Sequence, residues 1–379
     1  MSHAARALAR ALGVLLVALT SVGVAYPTPA SAQAAACPVQ PVVAPPIAAI
    51  GWPQTRYDLA ALGRISRGEG VVVAVLDSGV DPTHPQLAGA VSDGGDPLHG
   101  GSGLDDCIGH GTAVASIIAA RPVAGAGLRG IAPAATILSI RVSDRVQTET
   151  GFVGAGDLGA LVDGIHRAIA ARPRPSVLNL SLSSTTDSPA LRAAIRAALE
   201  ADIVVVAAAG NAHERGDPTP YPAAYDGVIG VGAIEATGAR LPGSQVGPYV
   251  DLVAPGAGVL AAAPGAGHQV VSGTSFAVPY VAAAAALVRA RWPDLPHADV
   301  VRRLLATADP PSGGQPSADY GHGVVNPYRA LTEVLPPAAL ATTGIPRPVI
   351  ARAALAEQPA RSPAWVCPSW RGPRAGAPP

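Results

Sequence analysis

Val71-Val72-Val73-Ala74-Val75-Leu76, bounded by Gly70 and followed by Asp77-Ser78-Gly79-Val80-Asp81, decides the fold class. Six apolar residues without alternation are the mark of a strand covered on both faces, which happens in a parallel sheet flanked by helices. The run ends in a carboxylate. In open α/β sheets the carboxyl ends of the strands are where sites are built, so Asp77 is a candidate site residue as well as a candidate turn residue. Downstream the alternation continues, with strands expected at 136–142, 177–182, 203–208, 228–233 and 250–253 and helices at 155–172, 188–200 and 297–306. The expected fold is α/β, three-layered, with a mostly parallel central sheet and helices on both faces. Residues 89–106, rich in Gly and Asp, read as a surface loop.

Two further stretches place polar residues where helices begin. Gly109-His110-Gly111-Thr112 opens the apolar run 113–120, and Gly273-Thr274-Ser275 opens a long Ala-rich helix ending near Arg291-Trp292-Pro293, where the proline stops it. A hydroxyl at a helix start faces unpaired N–H groups and the positive end of the dipole. Ala207-Ala208-Ala209-Gly210-Asn211 ends another buried strand with an amide able to donate to an oxyanion. Alone, each has a plain reading: a turn aspartate, a structural histidine, a helix cap, a turn asparagine. Together they have the order Asp…His…Ser, one of the known chain orders of a nucleophilic triad. An α/β-hydrolase arrangement is excluded, because Ser275 lacks Gly-x-Ser-x-Gly and the order differs.

These blocks resemble the subtilisin-like serine proteases: Val75 to Val80 for the aspartate, Gly109 to Thr112 for the histidine, Ala209-Gly210-Asn211 for the oxyanion hole, and Gly273-Thr274-Ser275 with Pro279 for the serine. The resemblance covers about 71–331, where Gly321-His322-Gly323-Val324-Val325-Asn326 resembles the closing motif of the domain. It implies a serine endopeptidase with Asp77, His110 and Ser275 as triad and Asn211 as oxyanion donor. It further implies peptide binding along the strand Asn179-Leu180-Ser181-Leu182-Ser183-Ser184 as a sheet edge, with Ser181, Leu182, Ser183, Ala208 and Gly210 as substrate-binding residues. Ser183 and Ser184 stand where the family usually has glycines, which narrows or polarises the expected pocket. Gln86 and Arg121-Pro122-Val123 replace the oxygen ligands of a common calcium site of the family, so no tight site of that kind, no metal and no cofactor are expected.

A narrower resemblance is to the mycosins, proteases associated with type VII secretion. Asp106-Cys107, Ile137-Leu138-Ser139-Ile140-Arg141 and Asn326-Pro327-Tyr328-Arg329-Ala330-Leu331 carry it, and it implies secretion-system components as partners beside a polypeptide substrate. A protease-fold scaffold with incidental catalysis is the competing function. The tail departs from that family, whose members look membrane-anchored: residues 336–379 are rich in Pro and Ala and contain no apolar run long enough to span a bilayer, so the mature chain is expected to have no transmembrane helix and a disordered tail.

Arg6 and Arg10, the apolar run Ala11 to Val24 and Ala30-Ser31-Ala32 read as a signal peptide over 1–32, which predicts an exported, secreted or envelope-associated protein. Residues 33–70 are expected to form an N-terminal strap, extended in its Pro-rich first part and with a short helical stretch near Leu59–Ile65, with the catalytic domain at 71–335. Three cysteines are then available, and Cys37–Cys107 is the expected disulfide because it would tie the strap to the loop before His110. Closing that loop is worth roughly 4 kcal/mol in the chain-entropy model. The chain of 379 residues has 26 basic and 26 acidic side chains; losing Arg6 and Arg10 leaves 24 basic ones and a net charge of −2. No basic stripe points to nucleic acid, and no Cys-x-x-Cys spacing points to a metal.

Overall fold

The computed structural model describes residues 44–335, except 145, 149–150 and 154–157. They all fall in the compact unit Ala35–Pro379; the other unit, Met1–Ala34, contains none of them. The expected signal peptide, the tail, Cys37 and Cys367 lie outside the described residues.

In chain order the elements are α1 (Trp52–Arg56), α2 (Leu59–Gly63), β1 (Val72–Asp77), β2 (Val91–Asp93), α3 (His110–Ala119), β3 (Thr136–Arg141), β4 (Val146–Thr148), β5 (Gly151–Val153), α4 (Leu158–Ala170), β6 (Val177–Leu180), α5 (Pro189–Glu200), β7 (Val204–Ala208), β8 (Ile229–Ile234), β9 (Leu252–Pro255), β10 (Val259–Ala262), β11 (His268–Val271), α6 (Thr274–Arg291), α7 (His297–Ala306) and α8 (Pro327–Thr332). Seven strands pair in the order β2-β3-β1-β6-β7-β8-β9, and every pairing is parallel. Two antiparallel hairpins, β4–β5 and β10–β11, stand apart.

The alternation of side chains along a strand splits each apolar run between two cores. From β1, Val73 and Val75 enter the core shared with α3, α6, α7 and α8, while Val72, Ala74 and Leu76 enter the core shared with α4 and α5. β7 divides in the same way, with Val204, Val206 and Ala208 on the first face and Val205 and Ala207 on the second. Parity then places Asp77 with Val73 and Val75, on the side of α3 and α6. α4 and α5 have the single apolar stripe of a helix wet on its outer side, as Leu191, Ala194, Ile195 and Ala198 show in α5. α5 also starts with a side-chain cap, Ser188 Oγ accepting from the Leu191 N–H, and Pro189 at the first helical position.

α6 differs, being buried on all sides: Phe276 to Arg289 is a continuous buried run. A helix without a wet face needs small side chains where the sheet and neighbouring helices close on it, which accounts for Ala282 to Ala286.

The interval 89–106 is not wholly a loop. Val91–Asp93 forms the edge strand β2, drawn in by its register with β3 and by Val91 against the core. A Cβ on Gly103 would lie 2.2 Å from the Ser139 carbonyl oxygen, so only a glycine lets the returning chain approach β3 so closely. The expected sheet edge at Asn179–Ser184 also needs correction. β6 is central, hydrogen-bonded to β1 and β7, and Ser184 is bridged to Tyr221; only Ser181–Ser183 leave their backbone groups unpaired.

Ahead of the sheet, the extended segment 44–50 lies on the domain. Gly127 donates its N–H to the Ile47 carbonyl at 2.9 Å, and His268 donates its own to Pro45 at 3.1 Å. The Ile47 N–H donates to His268 Nδ1, and Ile47 packs on Ala120, Leu128, Leu260 and Ala262.

Enlarging α6 at its centre tests its enclosure. Ala283→Leu should destabilise the protein by about 1–3 kcal/mol through overpacking, read from the urea midpoint, whereas the same change at exposed Ala193 of α5 should cost little.

Candidate active site

Asp77, His110 and Ser275 come from three elements and meet at one cavity of about 370 Å³, lined also by Ser181, Leu182, Ser183, Ala208, Asn211 and Phe276. Asp77 is the last residue of β1 and is 5% exposed. His110 is the first residue of α3, and its Nδ1–H donates to Asp77 Oδ1 at 2.7 Å. That bond sets the tautomer and turns Nε2 away from the carboxylate as an acceptor. Asp77 Oδ1 also accepts the Ser78 N–H at 2.8 Å. Burial of the imidazole disfavours its charge, but the Asp77 carboxylate and its hydrogen bond, with Asp106 farther off, outweigh this and hold the His110 pKa above the usual 6.5. The Phe276 ring packs beside the imidazole, with centroids 5.0 Å apart.

Glycines permit the close approach. Gly109 has φ +84°, and a Cβ on Gly111 would lie 2.0 Å from the Gly79 carbonyl oxygen, so α3 can begin directly against the chain leaving β1.

Ser275 is the second residue of α6, and its backbone has a particular support. Pro279 lies four residues on and has no N–H to return to the Ser275 carbonyl. Ser181 Oγ supplies the missing donor at 2.7 Å and itself accepts from Asn179 Nδ2 at 3.0 Å. The expected role of Ser181 was substrate contact; it lines the cavity and also bonds to the backbone of Ser275.

Asn211 is oriented by its oxygen. Oδ1 accepts the Thr274 N–H at 2.9 Å and the Thr274 hydroxyl at 3.1 Å, which leaves the Nδ2 donors for the cavity. The backbone N–H at the start of α6 is the second donor available to a developing negative charge.

Gly210 is the exception among the expected contact residues, for it is not part of the cavity lining. It has φ +93°, and a Cβ there would lie 2.2 Å from Gln245 Oε1, so the Gln245 amide takes its place in the wall. Gln245 and Arg215 were not expected at the site, being contributed by loops far from the four motifs with no local pattern to flag them. Asp106 was noted only as part of a resemblance. Gln86, for its part, uses its side-chain NH2 to donate to the carbonyls of Arg121 and Leu128, both at 2.9 Å, and accepts from His268 Nε2 at 2.6 Å. An amide donor among carbonyl oxygens occupies the kind of position a hard cation would need.

A buried parallel sheet with an aspartate, a histidine and a serine gathered at the carboxyl ends of its strands defines a serine hydrolase of the α/β class. The Subtilase family profile matches residues 68–323, and the chain belongs to that family of serine proteases. Among curated relatives, Subtilisin E of Bacillus subtilis (strain 168) is 36% identical over 68% of this chain and 65% of its own length. Mycosin-3 of Mycobacterium tuberculosis is 35% identical over 80% of this chain and 77% of that one. The solved MycP3 protease from the type VII (ESX-3) secretion system aligns with a TM-score of 0.65 and 35% identity, covering 77% of this chain and 91% of its own. MycP1 from Mycobacterium smegmatis aligns with a TM-score of 0.67 at 30% identity, covering 78% and 89%. No helix among the described residues is long and apolar enough to cross a membrane.

The Ser181 support can be isolated by a double-mutant cycle. Ser181→Ala should cost about 1 kcal/mol of stability in the native background and markedly less in Pro279→Ala, where the new N–H can bond to the Ser275 carbonyl; denaturant midpoints read both.

Proposed function

We propose that this protein is an exported serine endopeptidase that cleaves peptide bonds through an acyl-enzyme intermediate. The observation that carries the reading is the 2.7 Å Asp77–His110 bond in a cavity that Ser275 and Asn211 also line. Ser275 Oγ attacks the peptide carbonyl while His110 Nε2 takes its proton. The imidazolium is stabilised by Asp77 and gives the proton to the leaving amine. Asn211 Nδ2 and the Ser275 N–H hold the oxyanion. Water then attacks the ester by the same route and frees the enzyme. The substrate backbone pairs with Ser181–Ser183, whose unpaired groups suit an added strand.

The likeness to mycosins supports an association with a type VII-like secretion system, and the basic, apolar and small-residue segments of 1–32 support export. A Cys37–Cys107 bridge belongs to the same reading; its support is the disulfide-bonded state of Cys107. So does a strap at 33–70, supported by the bonds of segment 44–50 to Gly127 and His268, with the catalytic domain at 71–335.

A fluorophosphonate probe tests the chemistry. The purified protein should be labelled, and Ser275→Ala and His110→Ala should each abolish labelling; a well-folded wild type that resists the probe would sink the proposal and favour the scaffold reading. Asn211→Ala should lower kcat on a peptide substrate about 100-fold with the protein still folded. The base must be neutral, so activity should fall as pH drops through the His110 value, which lies above 6.5. Asp77→Asn removes the nearer anion, and that limb should move to lower pH in the residual activity.

A further inference from the structure

α3 begins with a glycine cap that has no side chain to offer, yet its first N–H groups are not left open. The Gly111 N–H donates to Ser78 Oγ at 2.9 Å, and the Thr112 N–H donates to Asp106 Oδ2 at 2.8 Å. Asp106 is 6% exposed and accepts from five donors. Oδ1 receives Ser78 Oγ at 2.8 Å, the Gly109 N–H at 2.7 Å and the Ile108 N–H at 3.2 Å; Oδ2 receives the Thr112 N–H and the Thr112 hydroxyl, the latter at 2.5 Å. Both hydroxyls are committed to it, because Ser78 Oγ already accepts from Gly111 and Thr112 Oγ1 accepts the Asp81 N–H at 2.9 Å.

An acceptor-only group is therefore required at both oxygens. No cation pairs with Asp106 among the described residues, and burial pushes its carboxyl upward against the pull of the Thr112, Gly109 and Ser78 bonds. A helix start can be capped by neutral Ser or Asn, so a buried carboxylate without a counter-cation is an expensive choice for capping alone. Its neighbours suggest what the charge is for. It grips the residues on either side of the Asp77–His110 bond: Ser78, which follows Asp77, and Gly109, which precedes His110. It is also the second anion acting on the imidazole, after Asp77.

We propose that Asp106 is a positioning residue of this active site, whose charge clamps Ser78 to the start of α3 and so holds Asp77 and His110 in register. The proposal rests on His110 being the base. The groups facing His110 are Asp77 from β1, Asp106 from the loop before α3, and the uncharged Phe276 from α6. Those facing Asp106 are Ser78, Ile108, Gly109 and Thr112, none of them titratable in the range concerned.

The test is Asp106→Asn in the full chain, which sets an NH2 group against donors and removes the charge. Fluorophosphonate labelling of Ser275 should slow about 10-fold to 100-fold with unchanged probe affinity. His110, followed by imidazole NMR, should titrate at a lower pH than in the wild type. Labelling within twofold of wild type would overturn the proposal. So would slowed labelling with the His110 titration unmoved, since that pattern belongs to a purely structural cap. The NMR titration does not need activity, so it separates failure of this proposal from failure of the protease reading, which would appear as unlabelled wild type. Should Asp106→Asn not fold, Ser78→Ala keeps the charge and cuts one arm of the clamp. It should slow labelling several-fold and leave the His110 titration in place, and wild-type labelling would overturn the clamp.

Discussion

The complete burial of α6 is the constraint on which the rest of this structure depends. A helix enclosed by the sheet on one side and by α3, α7 and α8 on the others can have no wet face. Its interior must be alanine wherever backbones come close, and its two ends are the only places where polar chemistry can begin. The N-terminal end opens at the cavity, where Thr274 and Ser275 meet Asn211 and Ser181. The candidate site is thereby anchored on a helix buried on all sides, and a packed element is where a near-attack arrangement is best kept.

Around that helix polar groups are oriented by side chains from other elements. Asn211 spends its oxygen on Thr274 and keeps its donors for the cavity. Ser181 replaces the hydrogen bond that Pro279 removes. Ser78 and Asp106 take the first N–H groups of α3 in place of the side chain that Gly109 lacks. The recurring device is a backbone group freed by a glycine or proline and satisfied by a side chain from a distant element, which locks two elements together at the site.

The four motif blocks could be read in the sequence because each changes local pattern sharply: an apolar run stops at a carboxylate, or glycines flank a lone polar residue before a helix. The same reading mistook 91–93 for loop and took the chain after Asn179 for a sheet edge. Three residues are too few to show a period, and whether a strand is central or peripheral depends on partners more than twenty residues away. Gln245 and Arg215 escaped for a related reason: a cavity wall made of loops has no sequence period.

Short unbroken apolar runs alternating with helix-length segments by themselves determined the layered α/β architecture, because strands buried on both faces are at home in a parallel sheet between helices. They also determined which residue types stand at strand and helix ends. Only the tertiary structure decided which of those ends meet, and through which atoms. The 2.7 Å bond from His110 to Asp77, the Ser181 donor beneath Ser275 and the five-fold cradle of Asp106 join residues from 28 to 94 positions apart or lie at the junction of such pairs. Their formation depends on strand parity and on close backbone approaches through glycine, and those are set only when the sheet closes against α3 and α6.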